Sequence, residues 1–302
     1  RRRPRQRRHA ERRACQQRHR QQQRRQLRHH AGHAGRQPAQ PDPARRAGAP
    51  GLISLGGPHS NHLHALAAAG HRFGFATVGL LRGHEQDTPT VADLQAWGMQ
   101  IHWLGYGGFR ARNLPGFWQP WQQRHRGYYC IPEGGGGLPG ALGCAELVPR
   151  LPSALAAVGW DDYDAVWLAA GTGTTLAGLV IGEAGRHPVI GALAGPPSHA
   201  VDDNVAALLA QAGVANEGYE LLDASRGGFA RFDKELAQFM YTAERDGGVP
   251  LDPIYTAKTM MALRLYVERG YVAAGTRVLF VHTGGLQGRR AAESQLHKLI
   301  HG

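Results

Sequence analysis

Paired cysteines and long apolar runs are missing from this chain of 302 residues. Its three cysteines, Cys15, Cys130 and Cys144, form no Cys-x-x-Cys pair and no disulfide framework, which favours a reducing compartment and a cytoplasmic location. No run approaches the roughly 18 apolar residues of a membrane-spanning helix. The N-terminus also has no apolar core of a signal peptide. We therefore expect no membrane partner.

The first 46 residues lack the side chains from which a hydrophobic core is built. Leu27 is their only large aliphatic residue, and Ile, Val, Met, Phe, Tyr and Trp are all missing from this segment. Such a segment cannot bury enough apolar surface to offset the conformational entropy that ordering costs.

Three interpretations of residues 1–46 compete. A disordered basic tail would bind nucleic acid or acidic lipid. A transit peptide would share the arginine bias, but the segment has no serine and no amphipathic apolar face. A shifted reading frame is the third, because GC-rich DNA read out of frame gives this mixture of Arg, Ala, Pro, Gln, His and Gly, and because the chain begins with Arg1. We favour the frame-shifted interpretation of this anomalous segment.

The positive charge of the chain is concentrated in the same segment. Sixteen arginines stand there against Glu11 and Asp42, so its formal charge of +14 exceeds the +12 of the whole chain and leaves −2 for the remainder. A nearly neutral remainder offers no basic surface to nucleic acid. We therefore expect no nucleic-acid partner for the globular part.

Beyond residue 46, short apolar runs alternate with helical periodicity. Strands separated by helices imply right-handed crossovers, so the pattern predicts an α/β fold with two open parallel-sheet lobes. The predicted strands cover 52–55, 76–81, 100–104, 165–169, 189–193, 219–222 and 277–281. The predicted helices cover 61–70, 88–97, 140–147, 174–183, 203–212, 232–245, 257–270 and 289–300.

The two predicted lobes are a smaller one over 47–148 and a larger one over 149–302. Between the strands of the first lobe, residues 105–128 predict an irregular connection, because Pro115 and Pro120 would interrupt a helix there. A glycine hinge is predicted where the first lobe ends, over 133–140.

The segment 56–62, which follows the first predicted strand, reads Gly-Gly-Pro-His-Ser-Asn-His. A strand, a glycine turn and polar side chains at a helix start are how α/β enzymes present N–H groups to an anionic ligand. Ordinary helix capping by Ser60 and Asn61 is the alternative, since both residue types are preferred caps. His62 and His64 are two residues apart and cannot share a helix face, so a metal pair is not expected.

A second glycine turn, Gly171-Thr172-Gly173-Thr174-Thr175, follows the apolar run 166–170. Backbone N–H groups and threonine hydroxyls can bind a phosphate at the positive end of the following helix. It is not a Walker loop, because no Gly-Lys-Ser/Thr follows. No acidic partner for a ribose stands about 20 residues later, which disfavours a nucleotide-dependent dehydrogenase. A tight turn that binds no ligand is the alternative.

Two further segments carry candidate chemistry. Tyr255, in Asp252-Pro253-Ile254-Tyr255-Thr256, stands at the mouth of a predicted helix, where a phenol can act as acid or base; a core tyrosine is the alternative. Thr283, in His282-Thr283-Gly284-Gly285, follows a strand and could meet a heteroaromatic nitrogen; the alternative is a turn with a buried His282. Three of the four segments follow predicted strands, at the edge where open parallel sheets bind ligands.

Together these segments resemble the D-cysteine desulfhydrase and 1-aminocyclopropane-1-carboxylate deaminase group. These are pyridoxal-phosphate enzymes with the tryptophan-synthase-β fold, which is fold type II. The resemblance rests on 57–62, 171–175, 252–258 and 282–285, and it runs from about Gly51 to the C-terminus. It implies pyridoxal 5′-phosphate as cofactor, a small amino acid as substrate and a homodimer.

The resemblance also implies roles for single residues. Ser60 would contact the substrate carboxylate or transfer a proton, and Tyr255 would lie over the cofactor ring near the substrate. Asn61 would contact the ring or its phenolic oxygen. Thr256 or Thr283 would stand near the pyridine nitrogen, where the deaminases have a glutamate, and this favours the desulfhydrase branch. The remaining cofactor-binding residues would be His62, which continues the loop, and the phosphate-binding residues Gly171, Thr172, Gly173, Thr174 and Thr175.

The chain departs from the group at the lysine that attaches the cofactor as a Schiff base. In the group this lysine precedes the Ser-Asn-His loop, whereas the lysines of this chain are Lys234, Lys258 and Lys298. We interpret Lys258 as a solvated helix lysine, since exposure is usual for this residue type. General-base catalysis is worth about 10²–10⁴-fold, so the chain is expected to have little or no activity.

The function implied is a pyridoxal-phosphate-dependent lyase or deaminase that acts on a small amino acid. Desulfhydrase-like β-elimination would release a 2-oxo acid and ammonia. Deaminase-like activity and a pseudoenzyme that binds the cofactor without turnover are the alternatives.

Overall fold

The computed structural model of the chain describes Ala44 and residues 48–302. Apart from Ala44, the anomalous segment 1–46 therefore lies outside the described residues. None of the helices described below is long and apolar enough to cross a membrane.

Two parallel four-stranded sheets organise the described part of the chain. The elements of the first lobe are β1 (Gly51–Gly56), α1 (Asn61–Phe73), β2 (Ala76–Leu81), α2 (Pro89–Ala96), β3 (Gln100–Trp103), α3 (Gly105–Arg110), α4 (Gln119–Arg124) and β4 (Tyr129–Cys130). The elements that follow β4 are α5 (Leu138–Ala145), α6 (Leu151–Ala156), β5 (Ala165–Ala170), α7 (Thr174–Glu183), β6 (Val189–Leu193), α8 (Val201–Gln211), β7 (Tyr219–Asp223), α9 (Lys234–Gly247), α10 (Thr256–Glu268), β8 (Val278–Val281) and α11 (Leu286–His301).

Strand order places one fully buried strand near the middle of each sheet. The orders are β3-β2-β1-β4 and β7-β6-β5-β8, and all neighbours are parallel. All six residues of β1 and of β5 are buried, as expected for strands covered on both faces. The predicted α/β fold with two parallel sheets is confirmed. The predicted lobe boundary at residue 148 stays a prediction.

Side-chain caps fix where several helices begin. Ser60 Oγ accepts the Leu63 N–H at 3.2 Å at the start of α1, and Thr88 Oγ1 accepts the Val91 N–H at 3.1 Å before α2. These bonds satisfy N–H groups that have no partner inside the helix. The α1 residues Leu63, Leu66 and Ala67, spaced three and four apart, then join the core of the first lobe.

Residues 105–128 are more regular than the sequence suggests. The expectation of an irregular connection is wrong in part, because α3 and α4 both form there. Pro120 lies in the first turn of α4, where a missing N–H costs nothing, so it starts the helix instead of interrupting it. The two-residue strand β4 was not predicted, and it is too short to give an alternating pattern.

Glycines let α5 and α7 pack backbone to backbone. A Cβ on Gly178 would stand 2.3 Å from the Ala141 carbonyl oxygen and 2.5 Å from Cys144 Cβ. A Cβ on Gly182 would stand 2.8 Å from the Ala145 carbonyl oxygen. Since α7 starts at the Gly171–Thr175 turn, this close packing also fixes the position of that turn.

We predict that Gly178→Ala destabilises the protein by about 1–3 kcal/mol, because α5 must move away from α7 to admit the methyl group. Gly107→Ala is the matched control, since a Cβ at this helical position meets nothing within 4 Å. Urea unfolding measures both. Equal effects of the two substitutions would contradict the packing argument.

A buried hydrogen-bond pair ties α1 to the first sheet. Ser54 Oγ donates to the Ile131 carbonyl at 2.8 Å and lies 2.8 Å from His62 Nε2. Because the hydroxyl has only one proton, His62 Nε2 is the donor in the second bond. Burial lowers the pKa of His62 to about 4, which keeps the ring neutral at pH 7.

This pKa predicts a loss of stability in acid. The folded pKa lies below the ordinary value of 6.5, so the unfolded chain binds more protons between pH 6.5 and 4, and stability falls as pH drops through this window. The His62 contribution is on the order of 3 kcal/mol. Urea unfolding at pH 7 and pH 4.5 should show that His62→Gln removes this part of the pH dependence. The exposed His71→Gln is the matched control, and an equal change in both variants would contradict the assignment.

Candidate functional site

Three glycine turns follow the carboxyl ends of β1, β5 and β8. In the second sheet β8 pairs with β5, with Leu168 opposite Val281, so the turns that follow these two strands are neighbours. Parallel sheets bind ligands at this edge. The predicted segments 171–175 and 282–285 therefore lie side by side.

The turn after β5 forms a cup of backbone and hydroxyl groups. Gly173 has φ +85°, and a Cβ there would stand 2.7 Å from Val205 Cγ2. Thr172 Oγ1 lies 3.2 Å from Thr174 Oγ1, and Thr174 is only 4% exposed. Both hydroxyls stand at the N-terminal end of α7, where helix N–H groups favour an anion. We call residues 171–175 the phosphate cup.

The side chain of Thr175 turns away from the hydroxyl pair of the cup. Its Oγ1 accepts a hydrogen bond from Cys144 Sγ at 3.8 Å. Burial raises the pKa of the Cys144 thiol, so this cysteine stays protonated at neutral pH. Thr175 can therefore offer a ligand its backbone N–H, while its hydroxyl faces α5.

Two neighbours of the cup were not found from the sequence. Asn204 of α8 donates its side-chain amide to the Thr172 carbonyl. The turn Glu133–Gly135 packs on the cup, because a Cβ on Gly134 would stand 2.9 Å from Thr172 Cγ2. The predicted glycine hinge is thus a tight turn against the cup, and its Glu133 carboxylate pairs with Arg112 Nε at 2.6 Å.

Asp252 organises the start of α10. Its carboxylate is 1% exposed and accepts the N–H groups of Ile254, Tyr255 and Thr256 at 2.8–2.9 Å. It also accepts the Thr256 hydroxyl at 2.7 Å, while that hydroxyl accepts the Asp252 N–H at 2.8 Å. The Thr256 proton is therefore already donated, which leaves Thr283 as the threonine available to a ring nitrogen.

Tyr255 lies against Gly171, the first residue of the cup. The position of a Cβ on Gly171 is 3.3 Å from Tyr255 Cε1, so a side chain there would press on the ring. Burial, together with the negative charges of Asp252 and Glu133, raises the pKa of Tyr255 to about 12. The phenol is therefore a proton donor at neutral pH and a poor base.

Asn61 connects the first lobe to the second. Its Oδ1 accepts a hydrogen bond from Gln287 Nε2 in the first turn of α11, while Ser60 caps α1 beside it. The neighbouring His62 is bonded to Ser54, so its Nε2 faces the core of the first lobe. The three consecutive polar residues therefore have different positions. Ser60 and Asn61 lie at the start of α1, whereas His62 anchors the helix to β1.

The turn after β8 has a fixed histidine and an exposed threonine. His282 Nδ1 accepts the Gly284 N–H at 3.2 Å, so its Nε2 carries the proton and donates to the Pro250 carbonyl at 2.9 Å. A Cβ on Gly285 would stand 2.7 Å from Asp252 Cγ. The turn thus rests on the segment that carries Tyr255, and the exposed Thr283 stays open to a ligand.

Lys258 is buried, and the expectation of a solvated helix lysine is wrong. The residue is 1% exposed, and its ammonium donates to the carbonyls of Ser225 at 2.8 Å, Gly228 at 3.0 Å and Ala194 at 3.4 Å. Burial lowers its pKa to about 8, with a contribution from Arg226, which still leaves it protonated at pH 7. Lys234 and Lys298 are exposed on α9 and α11.

The residues present fit a phosphorylated aromatic ligand in two respects. Paired hydroxyls stand in the turn at the start of α7, and the protonated phenol of Tyr255 lies against Gly171 of the same turn. The covalent attachment of a carbonyl ligand does not fit, because the one buried lysine near the site is bonded to three backbone carbonyls. The site can therefore bind the phosphate and ring but offers no free amine.

Known proteins are similar to this chain along most of its length. The model of the family described as pyridoxal-phosphate dependent enzyme matches residues 33–284. D-cysteine desulfhydrase of Klebsiella pneumoniae is 29% identical over 264 residues, which are 80% of this chain and 78% of that protein. The bifunctional D-cysteine desulfhydrase/1-aminocyclopropane-1-carboxylate deaminase, mitochondrial, of Arabidopsis thaliana is 26% identical over 274 residues, which are 82% of this chain and 67% of that protein.

A solved structure agrees with the sequence comparisons. The crystal structure of a 1-aminocyclopropane-1-carboxylate deaminase homologue superposes with a TM-score of 0.72 at 27% identity, and covers 85% of this chain and 80% of that one. The resemblance inferred from the sequence is thus confirmed, and so is the cofactor class that it implied. Because the family model spans most of the chain, including β1, the phosphate cup and β8, the chain belongs to the family of pyridoxal-phosphate dependent enzymes.

Proposed function

We propose that the phosphate cup binds the phosphate of pyridoxal 5′-phosphate, with the ring between Asn61 and Tyr255. The observation that carries this proposal is the Thr172–Thr174 hydroxyl pair at the start of α7, in the turn whose Gly171 lies against the Tyr255 ring. N–H groups of a helix start and two hydroxyls together can satisfy a dianion. His62 acts indirectly, by holding α1 against β1 through Ser54.

The reaction proposed is β-elimination on a small amino acid, of the D-cysteine desulfhydrase type, which releases the leaving group as sulfide and yields a 2-oxo acid and ammonia. When bound, pyridoxal phosphate withdraws electrons from the α-carbon of an amino acid. Ser60 and the N–H groups at the start of α1 would orient the substrate carboxylate. Tyr255, whose pKa is raised to about 12, would hold a proton near the substrate. A homodimer and a cytoplasmic location stay predictions from the sequence.

Deaminase-like opening of a cyclopropane ring is the second candidate. Thr283 favours elimination over ring opening, since it is exposed at the end of β8 and is a neutral partner for a pyridine nitrogen. A neutral partner leaves that nitrogen less firmly protonated and the cofactor a weaker electron sink. Thr256 does not compete for this role, because its proton is donated to Asp252.

Catalytic turnover has less support in this chain than cofactor binding has. The base that removes the α-proton in the group is the cofactor-attaching lysine, and the phosphate cup has no free lysine beside it. We therefore propose that the chain binds pyridoxal phosphate reversibly and has little or no turnover.

We predict that Thr172→Val weakens pyridoxal phosphate binding about tenfold. A hydrogen bond to a charged group is worth about 1.5–3 kcal/mol, and each 1.4 kcal/mol is a factor of ten in Kd. Thr276→Val is the matched control, because Thr276 precedes β8 at the opposite edge of the sheet. Titration followed by cofactor absorbance, with inorganic phosphate as competitor, measures both variants. Equal affinity of Thr172→Val and the unchanged protein would contradict the cup.

Turnover is tested with D-cysteine and with 1-aminocyclopropane-1-carboxylate as separate substrates. We expect the protein with pyridoxal phosphate to release 2-oxo acid no faster than free pyridoxal phosphate does. Sulfide and 2-oxo acid released from D-cysteine above that rate would show a desulfhydrase with a base that we have not identified. Faster release of 2-oxo acid from the cyclopropane substrate alone would favour the deaminase.

A further inference from the structure

An aromatic wall stands beside the phosphate cup, formed by His199, Phe229 and Tyr255. The ring centroids of His199 and Phe229 are 5.7 Å apart, and those of Phe229 and Tyr255 are 6.0 Å apart. Tyr255 lies over Gly171 of the cup, and Phe229 is 44% exposed. These rings come from three separate loops. The wall therefore requires contacts that fix the positions of these loops relative to one another.

The three loops converge on the ammonium of Lys258. The Ala194 carbonyl precedes the 3₁₀ turn that carries His199, and a Cβ on Gly195 would stand 2.5 Å from His199 Nδ1. The Gly228 carbonyl belongs to the residue directly before Phe229. Lys258 itself lies three residues after Tyr255, in the first turn of α10.

We propose that Lys258 is a positioning residue, whose ammonium holds the aromatic wall in place through the carbonyls of Ala194, Ser225 and Gly228. An ammonium has three N–H donors, and the structure gives it three carbonyl acceptors. Without the charge, the carbonyls at this buried point would lose their partner, which favours movement of the loops.

A second contact, at the protein surface, holds the loop 225–229. Arg226 pairs with Asp233 at 2.6 Å and with Glu235 at 2.7 Å, on the surface of α9. Exposed pairs of this kind contribute little to stability. The buried lysine is therefore the stronger tie between the loop 225–229 and the other two loops.

In this proposal Lys258 positions loops and does not attach the cofactor. The ammonium acts on backbone carbonyls, and through them on the rings that would face the cofactor and substrate. The effect on ligand binding rests on the proposed function, whereas the effect on the loops does not.

The first test compares Lys258→Met with the unchanged protein by hydrogen–deuterium exchange. Methionine ends one atom short of the lysine nitrogen and has no charge, so it retains most of the packing and removes the donors. We expect faster amide exchange in 195–199 and 225–230, with little change in β1–β4. K⁺ or ammonium ions, which can occupy the position of the missing nitrogen, should restore part of the protection. Lys298→Met, at an exposed position on α11, is the matched control.

Unchanged exchange in both loops of Lys258→Met would overturn the proposal, and so would a uniform increase over the whole protein. Protection that K⁺ and ammonium ions both fail to restore would overturn the role of the charge. If Lys258→Met does not fold, Lys258→Gln, which keeps two donors, should show the same local loss in smaller degree. Wild-type protection in that variant would equally overturn the proposal.

The second test measures ligand selectivity. Under the proposed function, pyridoxal phosphate would contact the cup and the wall, whereas inorganic phosphate would contact the cup alone. Lys258→Met should weaken pyridoxal phosphate about tenfold or more and leave the affinity for inorganic phosphate unchanged. Equal loss for both ligands would overturn the positioning role. If the unchanged protein binds no pyridoxal phosphate, the proposed function fails, and the exchange experiment alone decides the role of Lys258.

Discussion

The buried carboxylate of Asp252 is the interaction on which the candidate site depends. Four donors from three consecutive residues, 254–256, converge on it, so the chain cannot leave this conformation without exposing a charge to an apolar interior. The result is a fixed entry into α10. Tyr255 lies at this entry, against Gly171 of the cup. Lys258 follows one turn later, and its ammonium meets the backbone carbonyls of two other loops. The turn after β8 also rests on the same carboxylate, because Gly285 leaves room for it.

Both lobes contribute residues to the candidate site. The second lobe supplies the phosphate cup, Tyr255 and Thr283, all at the carboxyl edge of its sheet. The first lobe supplies Ser60 and Asn61 at the start of α1, and Asn61 reaches the second lobe through Gln287. A ligand that fills the cup and touches Asn61 would therefore contact both lobes. Its binding would strengthen their contact by mass action.

The sequence was sufficient for most of the longer strands and helices and for the glycine turn after β5. Buried strands such as 165–170 and helix starts such as Thr174 carry local signals, namely apolar runs, glycine turns and caps, and these local choices agree with the global fold. The sequence was not sufficient for β4, whose two residues pair with β1 over a long separation. The bond from Thr256 to Asp252 and the packing of Gly134 on Thr172 also depend on tertiary contacts that no local pattern reports.

Lys258 shows most clearly where reasoning from residue type fails. Its partners come from residues 30 to 64 positions away in the chain, and exposure is the common state of lysine. Only the fold reveals that three backbone carbonyls meet its nitrogen. The same contacts explain why the lysine beside the candidate site is not a free amine.

The most direct test of this account is borohydride reduction of the purified protein with bound pyridoxal phosphate, followed by peptide mapping. The account predicts cofactor that is bound in the cup and released on unfolding, with no stoichiometric adduct on Lys258 and only scattered labelling of exposed amines. A single stoichiometric adduct on Lys258 would contradict it, because the ammonium would then have left its three carbonyls to serve as the cofactor-attaching amine.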